Sequence, residues 1–391
     1  MDNTLQKAAE VRTLDAAVIV TAGGVFAEAS LPHDGYDDVI SPLTRVGGLS
    51  LFQRTVLTLQ RAGIKHLFIL TGQEEEALRR GLSHDRRVTA AVHWMPDREF
   101  PPDDFRTWEA LVTEMQGACL VVGVQAVFSC GFVEHLRDEV LKALSVLIVG
   151  DQEQQSPPQA TRFGMVVLPA HLLRGSEGFR LGAASREAPP LRAIVEQASS
   201  DGCLRQVPAM LHPSQWYQPI RGYGDVRRTE TLLLQSPKGP YEGFIDTHFN
   251  RKVSSLLTRV FLKAGWSANS ITILSICVGF VAAGFFAHGS YLTGVLGALF
   301  FQLSAIVDCC DGDVARMTFS ESRFGEQLDI LGDNAVHMAI FAGVAWAGYQ
   351  QGAGMVSLAL GAAAVLGNVL SLWVVTRIKA RRDREGWRSP V

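Results

Sequence analysis

Two long stretches in the C-terminal part of the chain contain no charged side chains. The stretches 265–307 and 334–376 each run for 43 residues without Asp, Glu, Lys or Arg. A helix needs about 20 apolar residues to cross a bilayer, so each stretch can hold two spans joined by a short turn. The pattern predicts an all-α transmembrane bundle with spans at 268–287, 290–308, 328–348 and 354–376.

The first part of the chain, to about residue 240, carries charges at ordinary density and has a different pattern. Leu51 to Ala62 is amphipathic and is stopped by Gly63, which predicts a helix. Short apolar runs typical of buried strands occur at 17–20, 66–70, 118–122 and 144–149. Strands that alternate with helices predict an α/β domain with a mostly parallel sheet. We place this domain at residues 1–225 and a linker at 226–241.

Residues 242–264 precede the first span and have an amphipathic pattern. Phe249, Val253, Leu256, Leu257 and Val260 recur at helical spacing on one face. This predicts a helix lying in the membrane interface, with an ordinary connecting helix as the alternative. The transmembrane domain then covers 265–391.

The distribution of basic residues predicts how the bundle is oriented. The turns at 288–290 and 349–352 contain no Lys or Arg, whereas the opposite ends of the spans carry many. Cytoplasmic loops are enriched in Lys and Arg. We therefore expect the basic ends of the spans, and the soluble domain that precedes the first span, to lie in the cytoplasm. We therefore predict a multi-pass protein of the cytoplasmic membrane.

Composition narrows the class of protein further. Of 391 residues, 47% are hydrophobic and 19% charged, and the mean hydropathy is +0.14. These values exclude a fully soluble protein, a disordered chain and a secreted disulfide scaffold. The net charge of −3 gives no reason to expect nucleic acid as a partner.

The strongest chemical signal lies between the second and third spans. Asp308 and Asp311 are spaced i,i+3 on one helix, and Asp329 and Asp333 are spaced i,i+4 on the next. Four carboxylates near hydrocarbon would repel one another and would be costly to desolvate. Divalent cations remove that cost, and oxygen ligands favour Mg²⁺ or Mn²⁺. Two such ions about 4 Å apart are the arrangement used for displacement at phosphorus.

Small residues around this cluster leave space for a ligand. Gly312 and Gly325 lack side chains, which permits close approach to the backbone. Ala315 lies four residues after Asp311 on the same helix face, which leaves room for a flat ring or a ribose.

The spacing D-x2-D-G-x2-A-R-x8-G-x3-D-x3-D resembles the signature of the CDP-alcohol phosphotransferase family at each fixed position. The resemblance implies that Asp308, Asp311, Asp329 and Asp333 hold two Mg²⁺ or Mn²⁺ ions, with Asp333 as the general base. It further implies that the CDP group is framed by Gly312, Ala315, Arg316 and Gly325. The implied reaction joins a CDP-alcohol donor to an acceptor alcohol and releases CMP, in phospholipid or polar head-group synthesis. The family usually has six spans and forms homodimers, whereas four spans are visible here.

Basic residues follow the fourth span and have two interpretations. Arg377, Arg381 and Arg382 can contact anionic membrane lipid as a positive-inside anchor. They can instead bind the phosphate of an acceptor such as an inositol phosphate, since guanidinium groups pair well with phosphate.

The N-terminal domain resembles a sugar-phosphate nucleotidyltransferase domain, on the segments 17–24, 41–48 and 62–64. The order of domains is similar to bifunctional proteins that join an inositol-1-phosphate cytidylyltransferase to a synthase of di-myo-inositol phosphate phosphate. The catalytic positions differ from that pattern. Val25, Phe26 and Ala27 stand where an arginine is expected, Ser41 replaces a lysine, and Val124 replaces a metal-binding aspartate. We therefore predict a degenerate domain; an active cytidylyltransferase and a non-catalytic membrane scaffold are the alternatives.

Overall fold

The polypeptide divides between Lys238 and Gly239 into two units in the computed structural model. The structure describes residues 14–21, 40–115, 117–142, 145–150, 164–169, 190–235 and 251–384. The first unit combines strands with helices, and the second is helical throughout its described residues.

The strands of the first unit are β1 (Ala16–Val20), β2 (Arg45–Val46), β3 (Leu49–Ser50), β4 (His66–Thr71), β5 (Ala91–Pro96), β6 (Cys119–Gly123), β7 (Ala126–Phe128), β8 (Val146–Gly150), β9 (Met165–Leu168), β10 (Leu204–Pro208), β11 (Met210–His212) and β12 (Gln215–Pro219). Its helices are α1 (Leu51–Arg61), α2 (Glu75–Ser83), α3 (Phe105–Glu114), α4 (Cys130–Lys142), α5 (Pro190–Ser200) and α6 (Tyr223–Gln235).

A seven-stranded sheet in the order β10-β8-β9-β6-β1-β4-β5 forms the centre of this unit. The pairs of β1 with β4 and β6, of β4 with β5, and of β8 with β10 are parallel. β9 is antiparallel to both of its neighbours. The predicted α/β fold with a mostly parallel sheet is therefore confirmed.

Helices cover both faces of the sheet, and the side chains of β1 alternate between the two resulting cores. Ala17 and Ile19 belong to the core shared with α1 and α4. Val18 and Val20 belong to the opposite core, shared with α3 and α5. Successive side chains of a strand point to opposite faces, so a strand buried on both sides reads as a continuous apolar run.

A buried arginine connects α1 to the β2–β3 hairpin. Arg54 is 2% exposed, and its guanidinium donates to the carbonyl of Val46 at 2.8 Å and to that of Gly47 at 3.0 Å. The amide of Gly47 in turn donates to the carboxylate of Glu230 on α6 at 3.1 Å. Burial lowers the pKa of Arg54 to about 10.

Residues 226–235 fall within the predicted linker, but in the structure they form most of α6. Val226, Thr229 and Leu234 are buried there, because they recur at helical spacing and pack into the first unit. Residues 236–241 lie outside the described residues.

The helices of the second unit are α7 (Arg251–Ala264), α8 (Ala268–His288), α9 (Tyr291–Met317), α10 (Arg323–Gly348) and α11 (Gly354–Arg384). Within the described residues, three helical stretches are long and apolar enough to cross a membrane: Ala268–His288, Tyr291–Met317 and Arg323–Ile378. The second unit is therefore an integral-membrane unit, as predicted.

The third stretch contains both of the last two predicted spans, because the chain reverses within it. A π-helical segment, Tyr349–Ala353, contains Gly352 with a φ of 94°, which favours glycine. Beyond it α11 packs back on α10, since the Asn368 amide donates to the carbonyl of Asn334 at 3.1 Å and the Ser357 hydroxyl donates to that of Ala345 at 2.9 Å.

Glycines bring α8 and α10 very close together. A Cβ atom on Gly332 of α10 would lie 2.6 Å from Cγ1 of Ile276 on α8. A Cβ atom on Gly279 of α8 would lie 2.6 Å from Cγ1 of Val336 on α10. Carbon atoms need about 3.5 Å or more, so neither position admits a larger residue without movement.

α7 packs against α9 through a face of small polar residues. Ser254 and Thr258 are buried, and the thiol of Cys310 on α9 donates to the carbonyl of Ser254 at 3.5 Å. Leu256 and Val260 of α7 are 64% and 55% exposed. Exposed apolar side chains are what a helix in the membrane interface requires, and this location stays a prediction. Phe249 lies outside the described residues.

Candidate active site

Three of the four predicted carboxylates converge. Asp308 and Asp311 lie on α9 and Asp329 lies on α10, and each offers an oxygen within 4.8 Å of the other two. Helical spacing explains the first pair, because residues three apart share a face. Packing of α8 against both helices brings the third carboxylate to them.

Asp333 lies one turn beyond Asp329 on α10 and is half-buried. Among the described residues it is not one of the three carboxylates that meet within 4.8 Å. Its backbone carbonyl accepts a hydrogen bond from Nδ1 of His337 at 2.7 Å. Asp333 is thus adjacent to the cluster along the helix, and its predicted roles as ligand and general base stay predictions.

α8 contributes two hydroxyl groups to the cluster. The Thr272 hydroxyl donates to Oδ2 of Asp311, and the Ser275 hydroxyl lies 3.5 Å from Oδ1 of Asp308. Both side chains are almost fully buried. Neither residue was among the predicted site residues, although two hydroxyl residues three apart on an apolar helix are a recognisable signal.

The predicted CDP-binding residues surround the end of α9 and the start of α10. Arg316 donates to the buried carboxylate of Asp313 at 2.7 Å, and its Nη1 lies 3.5 Å from where a Cβ atom on Gly312 would be. A Cβ atom on Gly325 would lie 3.0 Å from Oδ1 of Asn269. Ala315 is half-buried in the last turn of α9. Asp313 was not among the predicted site residues, although its spacing of three residues from Arg316 on one helix is a signal for this ion pair.

Two of the predicted acceptor-binding arginines, Arg377 and Arg381, have described side chains, and neither is seen in contact with this cluster. The Arg377 guanidinium lies 4.1 Å from the centre of the Trp373 ring, and Arg381 is exposed. Among the described residues, no hydrogen bond or ion pair connects either arginine to the four aspartates. The side chain of Arg382 lies outside the described set.

The chemistry of the donor set fits a divalent metal. Asp308, Asp311 and Asp329 offer only oxygen atoms, which Mg²⁺ and Mn²⁺ prefer. Three carboxylates at this separation repel one another in a partly buried site, and a bound cation would offset the repulsion.

In the first unit, two of the three altered catalytic positions can be described. Val124 is 1% exposed in the hydrophobic core, so an apolar side chain occupies the position where a metal-binding carboxylate was expected. The Ser41 hydroxyl donates to the carboxylate of Glu74 at 2.8 Å. Val25, Phe26 and Ala27 lie outside the described residues.

Comparison with known proteins identifies the second unit. Residues 266–387 match the sequence model of the CDP-alcohol phosphatidyltransferase family. The membrane unit therefore carries a CDP-alcohol phosphatidyltransferase domain, and the chain is an enzyme of the transferase class. This confirms the resemblance and the class of enzyme predicted from the spaced aspartates.

Relatives cover different parts of the chain. A bifunctional IPC transferase and DIPP synthase from Aquifex aeolicus (strain VF5) is 22% identical over 336 residues, which are 84% of this chain and 76% of the relative. A phosphatidylinositol phosphate synthase from Mycobacteroides abscessus is 30% identical over 149 residues, 38% of this chain and 64% of the relative. The solved inositol-1-phosphate CTP transferase from T. maritima aligns with 56% of this chain and 95% of its own, at 13% identity and a TM-score of 0.37.

Proposed function

We propose that the membrane unit transfers a substituted phosphate group from a CDP-alcohol to an acceptor alcohol and releases CMP. The convergence of Asp308, Asp311 and Asp329 within 4.8 Å carries this proposal, because it lies inside the segment that matches the transferase family. Bringing three carboxylates together inside an apolar bundle costs free energy, so such a cluster is typical of a functional site rather than of a purely structural one.

In this proposal two Mg²⁺ or Mn²⁺ ions are held by Asp308, Asp311 and Asp329 together with Asp333. When bound, the metal would neutralise charge on the diphosphate and make its phosphorus a better electrophile. The glycines at 312 and 325 leave the backbone accessible to the nucleotide. Arg316 would pair with a phosphate oxygen, since guanidinium groups form strong charge-assisted hydrogen bonds.

Asp333 would accept the proton of the acceptor hydroxyl as that oxygen attacks the β-phosphorus. The new oxygen–phosphorus bond forms while the bond from this phosphorus to the bridging oxygen breaks. CMP leaves with the electron pair, and the proton remains on the Asp333 carboxyl group until solvent removes it. Because Asp333 lies one turn beyond Asp329, one of its oxygens could bind metal while the other accepts the proton of the acceptor hydroxyl.

The test is an assay of CMP release by the full chain in detergent. CDP-inositol and CDP-diacylglycerol would be compared as donors, each with Mg²⁺, Mn²⁺ or EDTA and with several acceptor alcohols. We expect metal-dependent CMP release with at least one donor and no release in EDTA. No release with any combination would favour the non-catalytic scaffold instead.

We propose an inositol phosphate as the acceptor, because relatives named for inositol phosphate chemistry support this class of substrate. The exposed Arg377 and Arg381 are four residues apart on α11 and could hold its phosphate, together with Arg382. Changing Arg377 and Arg381 to Gln should then raise the acceptor KM far more than the donor KM. Equal effects on both, or impaired membrane insertion alone, would support the lipid anchor.

We propose that the first unit is not an active cytidylyltransferase. The buried Val124 and the hydrogen-bonded Ser41 support this, because Val124 has no carboxylate to bind metal and Ser41 has no positive charge to stabilise a triphosphate. A fragment of residues 1–235 should remain soluble and should release no pyrophosphate from CTP and inositol-1-phosphate. Release at an ordinary enzymatic rate would restore the bifunctional alternative.

We also propose that the first unit and the aspartate cluster face the cytoplasm and that the enzyme is a homodimer bound to membrane lipid. The basic residues at one end of the spans support the orientation. Protease accessibility in sealed inside-out vesicles would test the orientation, and the mass of the detergent-solubilised enzyme would test the dimer.

A further inference from the structure

Two hydroxyl groups of α8 contact the carboxylates of Asp308 and Asp311 on α9. Thr272 and Ser275 are 3% and 2% exposed, and they contact Asp311 and Asp308 respectively. In each case one named oxygen of the carboxylate is engaged, Oδ2 of Asp311 and Oδ1 of Asp308. The second oxygen of each carboxylate lies outside these contacts.

The Thr272 hydroxyl does not need the carboxylate to satisfy its own hydrogen bonding. Its oxygen also lies 3.1 Å from the carbonyl of Ala268, one turn earlier in the same helix. Thr376 on α11 shows that such a bond suffices, since its hydroxyl donates to the carbonyl of Leu372 at 2.8 Å. A hydroxyl has one proton, and donation to a charged carboxylate is stronger than donation to a neutral carbonyl.

A further hydrogen bond connects α8 to α9 below the cluster. Ser304, one turn before Asp308, donates to the carbonyl of Ser275 at 2.7 Å. The Ser275 hydroxyl lies 2.8 Å from the carbonyl of Thr272, so its one proton, like that of Thr272, has a carbonyl and a carboxylate as alternative acceptors. The Ser304–Ser275 hydrogen bond therefore helps to fix the position of α8 along α9, one turn before Asp308.

We infer that Thr272 and Ser275 are positioning residues that orient Asp311 and Asp308 for metal binding. The inference rests on the proposed function. The Thr272 hydroxyl holds one oxygen of Asp311 and so directs the other towards the shared centre of the cluster, and Ser275 acts on Asp308 in the same way but more weakly. Hydrogen-bond partners of metal ligands commonly change metal affinity by about 10- to 100-fold when they are removed.

The test is direct binding of Mn²⁺ to the full chain in detergent, measured from the electron paramagnetic resonance signal of free Mn²⁺. Thr272→Val removes the hydroxyl and keeps the β-branched shape, and we expect it to raise the Kd for Mn²⁺ by about 10-fold. Ser275→Ala should raise it by about 3-fold, because a contact of 3.5 Å is at the limit of a hydrogen bond. Thr272→Ser keeps the hydroxyl and should bind like the wild type.

Matched controls separate this role from a loss of packing. Thr376→Val removes a hydroxyl bonded only within its own helix, and Ser357→Ala removes one bonded between helices away from the aspartates. Both should leave the Kd unchanged. The metal concentration that half-saturates CMP release should shift with the Kd, while kcat at saturating metal should fall by less than about 3-fold.

Two results would overturn the inference. One is an unchanged Kd in folded Thr272→Val, and the other is a loss in Thr272→Ser equal to that in Thr272→Val. If Thr272→Val does not fold, Ser275→Ala decides the question by the same measurement. A wild-type chain that binds no Mn²⁺ would overturn the proposed function itself, whereas binding by the wild type with unaltered variants would overturn only this inference.

Discussion

Substitution of Gly332 by alanine tests whether backbone contact between α8 and α10 sets the geometry of the candidate site. The added Cβ would lie 2.6 Å from Cγ1 of Ile276 and closer still to its Cδ1. Two carbon atoms need about 3.5 Å, so the helices must separate by roughly 1 Å or Ile276 must leave its position. Gly332 lies between Asp329 and Asp333, so the displacement falls on both carboxylates of α10.

We expect Gly332→Ala to destabilise the bundle by about 1–3 kcal/mol, the usual cost of overpacking. A misplacement of about 1 Å can reduce a reaction rate by about 100-fold, so CMP release should fall by that order. Initial rates would be measured with saturating metal and donor in detergent, beside the thermal melting of each variant. Gly367→Ala is the control, because a Cβ there meets nothing within 4 Å.

A second substitution, at Ile276 in the Gly332→Ala variant, tests whether the contact between these two residues causes the loss. Ile276→Ala removes both contacted atoms and should restore much of the activity lost in Gly332→Ala. Ile276→Val removes Cδ1 and leaves the contact at 2.6 Å, so it should restore much less. Activity near the wild-type level in Gly332→Ala, or equal rescue by the two substitutions, would refute the reasoning.

Three further substitutions test other parts of the structure. Asp329→Asn should reduce CMP release to less than about a tenth of wild type with the protein still folded and membrane-inserted, because a metal ligand contributes several kcal/mol at the transition state; retention of more activity would contradict the two-metal proposal. Asp313→Asn should raise the donor KM by about 10-fold with a smaller effect on kcat, because Arg316 loses its charged partner; an unchanged donor KM would exclude this role. Arg54→Met should lower the free energy of unfolding of the first unit by about 3 kcal/mol in a denaturant titration, because it leaves buried carbonyls without donors; a change below about 0.5 kcal/mol would contradict that account.

Local spacing was sufficient to predict much of the candidate site. Asp308 and Asp311 share a face because they are three residues apart on one helix, and this holds whatever the helix packs against. The strands β1 and β4 were predictable because burial on both faces produces continuous apolar runs. Both signals are contained within a few neighbouring residues.

Features that depend on distant contacts could not be predicted in the same way. β9 is antiparallel to its two neighbours in the sheet, β6 and β8. The four residues of β9 carry no information about the direction in which those strands run. Thr272 acquires its role from a carboxylate 39 residues away. The linker over 226–241 was predicted from the Pro- and Gly-containing stretch 236–240, whereas the helix over 226–235 is stabilised by buried positions that pack into the first unit.

The contact between α7 and α9 has a mechanical consequence. α7 is the first described helix of the membrane unit, and its buried Ser254 meets Cys310, the residue directly before Asp311. A displacement of α7 would therefore act directly on α9 beside Asp311, without passing through α8, α10 or α11.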